Sequence, residues 1–273
     1  MAVFLFGLAG LFGKLVMLPA IIIVLGRVFF ASLFLISISI LRKQDIKLQE
    51  SRDYFYLLIQ GVMLVVHWWT FYQSIQVSTV AVGLLTFSTF PVFVAFLEPV
   101  VFKEKLKVKD ILLAGITFFG VLFVVPELDV SNNMTQGALW GIASGFTFAI
   151  LSILNRKYVK KYSSILIALY QDGVALIVLL PFLWLLKPVI SLQDILLLGL
   201  LGIVFTGVSH TLFINSLTKI KARTASIIAS LEPVYGIIFA FLLLGEMPKV
   251  KMVFGGLIIL GTAFYSTVMK EEA

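Results

Sequence analysis

The sequence predicts an all-α integral membrane protein of ten transmembrane helices, arranged as two five-helix repeats of inverted topology. Three observations carry this. Of 273 residues, 60% are apolar and only 13% are charged, about half the charged share of a soluble domain and too little to coat a soluble particle of this size. The apolar residues fall in ten long runs. The chain also repeats itself at an offset of 142 residues.

Composition narrows the chemistry further. The mean hydropathy is +1.09, so a disordered chain is excluded. There is no cysteine, which removes a disulfide scaffold, a thiolate metal site and a cysteine nucleophile.

A membrane helix needs about 20 mostly apolar residues. The runs lie at 2–17, 20–41, 55–74, 80–101, 109–125, 136–154, 164–186, 195–217, 224–244 and 250–269. The first two meet at Leu18–Pro19, a short turn, since proline disfavours helix at the residue before it. The first run is short, yet no basic segment precedes it and no small-residue cleavage site follows, so it is expected to be a span rather than a signal peptide. The fourth and ninth runs carry Pro91 and Pro233, tolerated in membranes where neighbours satisfy the freed carbonyl. A β-barrel is not expected, because barrel strands alternate apolar and polar over about ten residues and these runs are continuously apolar.

Basic residues orient the bundle. With the N-terminus inside, sixteen of the 21 lysines and arginines fall in inside loops or at the C-terminus, and three, Lys187, Lys249 and Lys251, fall outside. The remaining two, Lys14 and Arg27, sit within spans. Both termini are therefore expected in the cytoplasm, in a cell inner (plasma) membrane. The net charge of +7 is read as basic loops against anionic lipid, with no nucleic-acid partner.

The repeat places Pro91-Val92 on Pro233-Val234, Glu104 on Glu246, and Lys107-Val108-Lys109 on Lys249-Val250-Lys251. His67 and His210, the only histidines, are 143 apart. Two units are expected, residues 1–126 and 127–273. An odd number of helices per unit inverts the second copy. Inverted repeats are the construction of many secondary transporters, whose halves exchange shapes about a midplane site; channels and membrane enzymes also arise by duplication.

The blocks PVFVAFLEPVVFKEKL (91–106) and EPVYGIIFAFLLLGEMP (232–248) resemble the repeated signature of EamA-type carriers of the drug/metabolite transporter superfamily. GLAGLFGK (7–14), then Pro19 and Arg27, resembles that family's first two helices, with Phe12 where a tryptophan is common. The resemblance covers essentially the whole chain. It implies a 5+5 inverted-repeat bundle with a central cavity, lined largely by spans three, four, eight and nine, that exports small metabolites. HWWTFYQSIQVSTVAVGLLTFSTFPVF (67–93) is similar to the subgroup that includes aromatic amino-acid exporters.

Polar residues inside spans identify the candidate site, because ionisable groups in hydrocarbon are costly and those retained face a cavity or a partner. Arg27 lies eight residues beyond Pro19, about 12 Å deep at 1.5 Å per residue. It is either a cation for a substrate carboxylate or a structural arginine, with Gln171 and Asp172 near its repeat counterpart. Gln60, His67 and Ser74 share one helical face, flanked by Trp68, Phe71 and Tyr72. Thr206, His210 and Phe213 recur at i, i+4, i+7. Each histidine is a core hydrogen-bonding residue or a contact for substrate or proton; two histidines alone do not make a metal site. Glu232 is a proton or amine site, or a protonated carboxyl bonded to a neighbouring helix. Thr86 and Ser230 line the cavity or bond back to their own helices, and Trp140 is expected to point into the cavity. Those with a functional reading are Arg27, Gln60, His67, Trp68, Phe71, Tyr72, Thr86, Trp140, Gln171, Asp172, His210, Phe213, Ser230 and Glu232.

Other features read as structural. Glu98 is expected to snorkel toward Lys103 or Lys105, and Lys14 to reach the interface. Glu104 and Glu246 are expected at helix starts. Gly137, Gly141 and Gly145 suit close helix packing, within the chain or across a homodimer. HExxH, GxSxG, GxGD and Walker motifs do not occur, so no cofactor or ATP site is expected. The expectation is a monomeric or homodimeric carrier in membrane lipid, not an enzyme, moving a small-molecule substrate outward by alternating access. An amino acid or related zwitterion leads; a drug or quaternary amine is the alternative, and a membrane enzyme or lipid scramblase the rival class.

Overall fold

A computed structural model describes residues 1–103, 108–124 and 129–268. Every element among them is a helix. The first apolar run forms α1 (Ala2–Ala9) and a single turn, α2 (Phe12–Leu15). Then follow α3 (Ala20–Leu41), α4 (Ser51–Val77), α5 (Val80–Phe87), α6 (Phe90–Phe102), α7 (Val108–Val124) and α8 (Asn133–Tyr158). The remainder are α9 (Ser164–Leu179), α10 (Pro181–Leu186), α11 (Leu192–Gly202), a π-helical turn Ile203–Val208, α12 (Ser209–Ser216), α13 (Ala222–Ala229), α14 (Glu232–Leu244) and α15 (Val250–Val268).

Taking directly abutting helices together, six are long and apolar enough to cross a membrane, and four shorter apolar helices accompany them. Large apolar side chains are exposed around the outside, including Phe119, Trp184, Leu242, Phe254 and Leu257. In water such a surface would aggregate; in a bilayer it is the lipid contact.

Local chemistry starts the helices. Thr79, Asn132 and Ser163 each accept a backbone N–H as N-caps, and Ser191 with Asp194 forms a capping box, satisfying donors the helix leaves open. Lys14 Nζ donates to Ser78 O at 2.9 Å, at the end of α4. Glu246 does serve a helix start, though not its own, since its Oε2 accepts from Val80 N at 2.9 Å, where a carboxylate complements the dipole of α5. Glu104 lies outside the described residues.

The fourth and ninth runs are each broken rather than continuous. α5 stops before Ser88–Thr89 and α13 before Ser230–Leu231, and Pro91 and Pro233 then occupy the first turns of α6 and α14. Proline suits a helix start because its missing N–H has no partner there anyway. The eighth run is interrupted by the π turn.

α4 and α8 pack along most of their lengths, with α5 and α6 also against α8, α9 against α3 and α4, and α7 against α15. The glycine stripe of α8 is used inside this chain. A Cβ at Gly141 would overlap the Thr86 hydroxyl, and one at Gly145 would fall 2.8 Å from Phe87 O. Gly7 brings α1 onto α14 in the same way, with its Cβ position 2.7 Å from Glu232 O.

Candidate functional site

Four helix interruptions meet at one level of the bundle. Ala9 ends α1, Phe87 ends α5, Glu232 begins α14 and His210 follows the π turn, and all four line one internal cavity. Interrupted helices at mid-membrane are tolerated where backbone lines a cavity. Arg27, His67, His210 and Glu232 supply its polar wall; Phe6, Trp68, Phe71, Phe87 and Phe148 supply rings. About 430 Å³ of space not filled by atoms lies between and in front of these walls.

Arg27 is 2% exposed. Its Nε donates to Thr206 Oγ1 at 3.0 Å and its Nη1 to Tyr72 Oη at 3.1 Å, while Cζ lies 3.7 Å from the Trp68 ring centroid. Thr206 Oγ1 passes its own proton to Leu201 O at 2.8 Å, and Tyr72 Oη to Ala9 O at 3.1 Å. Both partners are neutral, so the guanidinium is held without being neutralised. A guanidinium has five N–H donors; two are committed.

His67 packs its ring 4.9 Å from Phe148 and 5.6 Å from Phe87. Its Nδ1 lies 3.1 Å from Ser144 O, while Ser144 Oγ lies 3.1 Å from His67 O. Ser144 Oγ also lies 2.9 Å from Nδ1, so the serine meets the histidine at both its ring and its carbonyl, the proton positions following the ring tautomer. His210 meets Trp68 edge to face at 5.5 Å, and its Nδ1 has no partner.

The cavity therefore gathers six of the fourteen sequence candidates: Arg27, His67, Trp68, Phe71, His210 and Glu232. Tyr72 stands behind them, holding Arg27. Phe213 packs on Phe6 and Phe148. Thr86 bonds back to Val82 O at 2.7 Å against α8, Trp140 stacks on Trp69 at 5.5 Å, and Ser230 is buried beside the break before α14. Gln60 and Gln171 form a separate amide cluster with Asn155: Gln171 Nε2 donates to Gln60 Oε1 at 2.8 Å and Asn155 Oδ1 at 2.6 Å. Gln60 is two helical turns from His67, about 10 Å along α4. Asp172 is fully buried and neither oxygen has a hydrogen-bond partner. Sequence reasoning missed Phe6, Ala9, Leu64, Phe87 and Phe148, apolar residues in apolar runs with no polar signal to mark them.

One end of the bundle is latched by charge. Glu98 does not snorkel: it is 2% exposed and pairs with Arg156 at 2.5 Å. Lys161 Nζ reaches Glu50 Oε1 and Asp53 Oδ2, both at 2.6 Å. Tyr162 Oη donates to Asp53 Oδ2 at 2.5 Å and accepts from Gln49 N at 3.0 Å; Gln44 donates to Ser163 Oγ. Every ion pair among the described residues thus joins residues before 103 to residues after 129, at the end where α4 and α9 begin and α6 and α8 stop. The Asp53 and Glu50 carboxylates hold the Lys161 ammonium above the ordinary lysine range.

An apolar, lipid-facing exterior around a pocket of ionisable groups and aromatic rings defines a multi-pass membrane protein of the transporter class. The chain belongs to the EamA-like transporter family, whose profile matches residues 1–125 and 135–268. It is 25% identical over 273 residues to the uncharacterized transporter YxxF of Bacillus subtilis, covering 97% of this chain and 87% of that protein. It is 30% identical over 192 residues to an uncharacterized transporter of Archaeoglobus fulgidus, covering 70% and 68%. It is 23% identical to the S-adenosylmethionine uptake transporter of Rickettsia conorii, covering 90% and 82%. A solved crystal structure at 14% identity superposes with a TM-score of 0.72 over 99% of this chain and 96% of the other, a likeness of fold.

Proposed function

We propose that this protein is a secondary transporter that exports amino acids or related zwitterions by alternating access. Its moving parts are two inverted repeats, residues 1–126 and 127–273, each contributing five membrane crossings. The observation that carries the reading is that Arg27 and Glu232 line one aromatic-walled pocket. A substrate carboxylate would take guanidinium donors not used by Thr206 and Tyr72. Its ammonium would meet Glu232, and its side chain would lie among Phe87, Phe148 and Trp68.

Two further findings support the repeat. The helix breaks at Ser88 and Ser230 are 142 residues apart, the offset of the sequence repeat. Lys14, holding one end of the bundle, and Arg156, holding the other, are separated by the same 142. The basic-loop asymmetry favours a cytoplasmic position for the ion-paired end, which would latch the inside. Export follows from the family resemblance.

The test is counterflow in liposomes loaded with unlabelled amino acid. Saturable uptake of labelled amino acid, aromatic ones included, is expected, and it should fall away in Arg27→Met. Absence of counterflow for every amino acid would overturn the reading. A second reading comes from the Rickettsia relative: a substrate resembling S-adenosylmethionine, which joins the same zwitterion to a cation and an aromatic base. The stacked Trp68 and Phe rings favour such a group, and the same liposomes loaded with S-adenosylmethionine decide between the two.

A further inference from the structure

The ion-paired end of the bundle holds more positive charge than its carboxylates neutralise. Glu98 takes Arg156, and Glu50 and Asp53 both take Lys161. Arg52 and Lys157 are exposed, and among the described residues neither has a carboxylate in salt-bridge contact. The fold brings these two together. α4 begins at Ser51 and α8 ends at Tyr158, and the two helices pack on each other. Tyr56 stands at their junction. Arg52 Nε and Nη2 both donate to its hydroxyl, at 3.1 and 2.7 Å, with Cζ 5.3 Å from the ring centroid. Lys157 Nζ lies 5.5 Å from the same centroid and 5.7 Å from that of Tyr158; the two rings are 5.8 Å apart. Two cations thus converge on one ring. The guanidinium has further N–H donors to give, the ammonium has three, and the Tyr56 hydroxyl has its own proton.

Two features set this corner at the depth of lipid headgroups. Tyr54 stacks on Tyr170, Tyr56 on Tyr158, and Tyr162 bonds Asp53, so five of the chain's eight tyrosines form the kind of belt that marks a membrane–water interface. Apolar stripes also lead away from both cations. Phe55 and Val62 share the face of α4 that begins with Arg52, and Leu139 and Phe146 share the face of α8 that ends with Lys157; all four are exposed. We propose that Arg52, Lys157 and the Tyr56 hydroxyl bind the phosphate of an anionic phospholipid, whose chains lie along these stripes. A guanidinium can give two parallel N–H groups to two phosphate oxygens, and the ammonium and phenol reach the others. A zwitterionic lipid brings its own cation to a corner already in positive surplus, so a headgroup of net negative charge is selected. A soluble phosphate ester meets the same donors but gains nothing from the stripes. The bound phosphate joins α4 to α8 beside the Glu98–Arg156 pair. None of this depends on which substrate is carried.

The test is native mass spectrometry of the full-length protein in detergent, titrated with phosphatidylglycerol and, separately, with phosphatidylcholine. Phosphatidylglycerol is expected to bind more tightly. Arg52→Gln and Lys157→Gln should each weaken it roughly fivefold, the usual worth of one basic residue at an anionic membrane surface, and leave phosphatidylcholine unchanged. Tyr56→Phe, which keeps the ring and loses the proton donor, should weaken it less. Lys221→Gln, an exposed cation in the loop before α13, should have no effect. Lys157 and Tyr56 make no ion pair among the described residues, so their variants keep the question open if Arg52→Gln does not fold. Equal binding of the two lipids overturns the proposal. So does an equal loss in Lys221→Gln, which would mean diffuse attraction to basic loops. Glycerophosphoglycerol, the same headgroup without acyl chains, should not displace the lipid at matching concentration; if it does, the site takes a soluble phosphate and the lipid assignment is wrong.

Discussion

Replacing Arg27 by Met separates a binding role from a structural one. The side chain donates to Thr206 at 3.0 Å and Tyr72 at 3.1 Å and stacks on Trp68 at 3.7 Å. Both oxygens keep another bond when Arg27 goes, to Leu201 O and Ala9 O, so no buried donor is orphaned. Removing a buried guanidinium that has no direct ion pair also removes its own desolvation cost. The unfolding midpoint in detergent is therefore expected to stay or rise. Binding should behave differently. A charge-assisted hydrogen bond to a carboxylate contributes about 1.5–3 kcal/mol, and tenfold in affinity is about 1.4 kcal/mol. Losing one such bond costs roughly 10- to 150-fold in amino-acid affinity, more if two form. Thermal-shift titration with L-amino acids reads both quantities on one sample. Unchanged affinity, or a collapsed midpoint with lost affinity, would refute a carboxylate-binding Arg27.

Glu98→Gln should loosen the ion-paired latch by about 2 kcal/mol, between the values for exposed and buried pairs. Because the chain has no cysteine, a single Leu57→Cys, fully buried beneath the latch, can report it; maleimide labelling should quicken about 30-fold, and an unchanged rate would show that the pair does not gate this end. Gly141→Ala places a methyl on the Thr86 hydroxyl and should cost about 1–3 kcal/mol by overpacking, seen as earlier unfolding in a denaturing-detergent titration; no loss would mean α5 and α8 can separate freely. Lys161 has its proton affinity raised by Asp53 and Glu50. Its contribution to the latch should be complete below the ordinary lysine pKa of about 10.4 and lost only above its raised value, so the ratio of labelling rates at Leu57→Cys with and without Lys161→Met should stay constant between pH 6 and 9, while both rates rise with the thiolate fraction. Trp68→Ala removes the face on which Arg27 rests and should weaken amino-acid binding by a factor of a few, on the order of 0.5–2 kcal/mol, while leaving the fold intact.

The residues differ in how legible they were. Arg27, His67, His210 and Glu232 stand out in the sequence because each is an expensive group in an apolar run, and all four line the pocket. Gln60 and Gln171 carry the same signal, yet they bond each other and Asn155 instead, for a polar group in hydrocarbon announces only that it needs a partner. Glu98 is the clearest case. Lysines stand near it in sequence, but its partner is Arg156, 58 residues away on α8.

Hydropathy and basic-loop placement alone determined that the chain enters a membrane and where its apolar runs lie. Insertion is a local property: each run either does or does not repay its own transfer from water. Where the helices break, which polar groups share a cavity and which charges latch one end were decided only in three dimensions. Arg27 and Thr206 are 179 residues apart, and the free energy that joins them exists only once α3 and the π turn lie side by side.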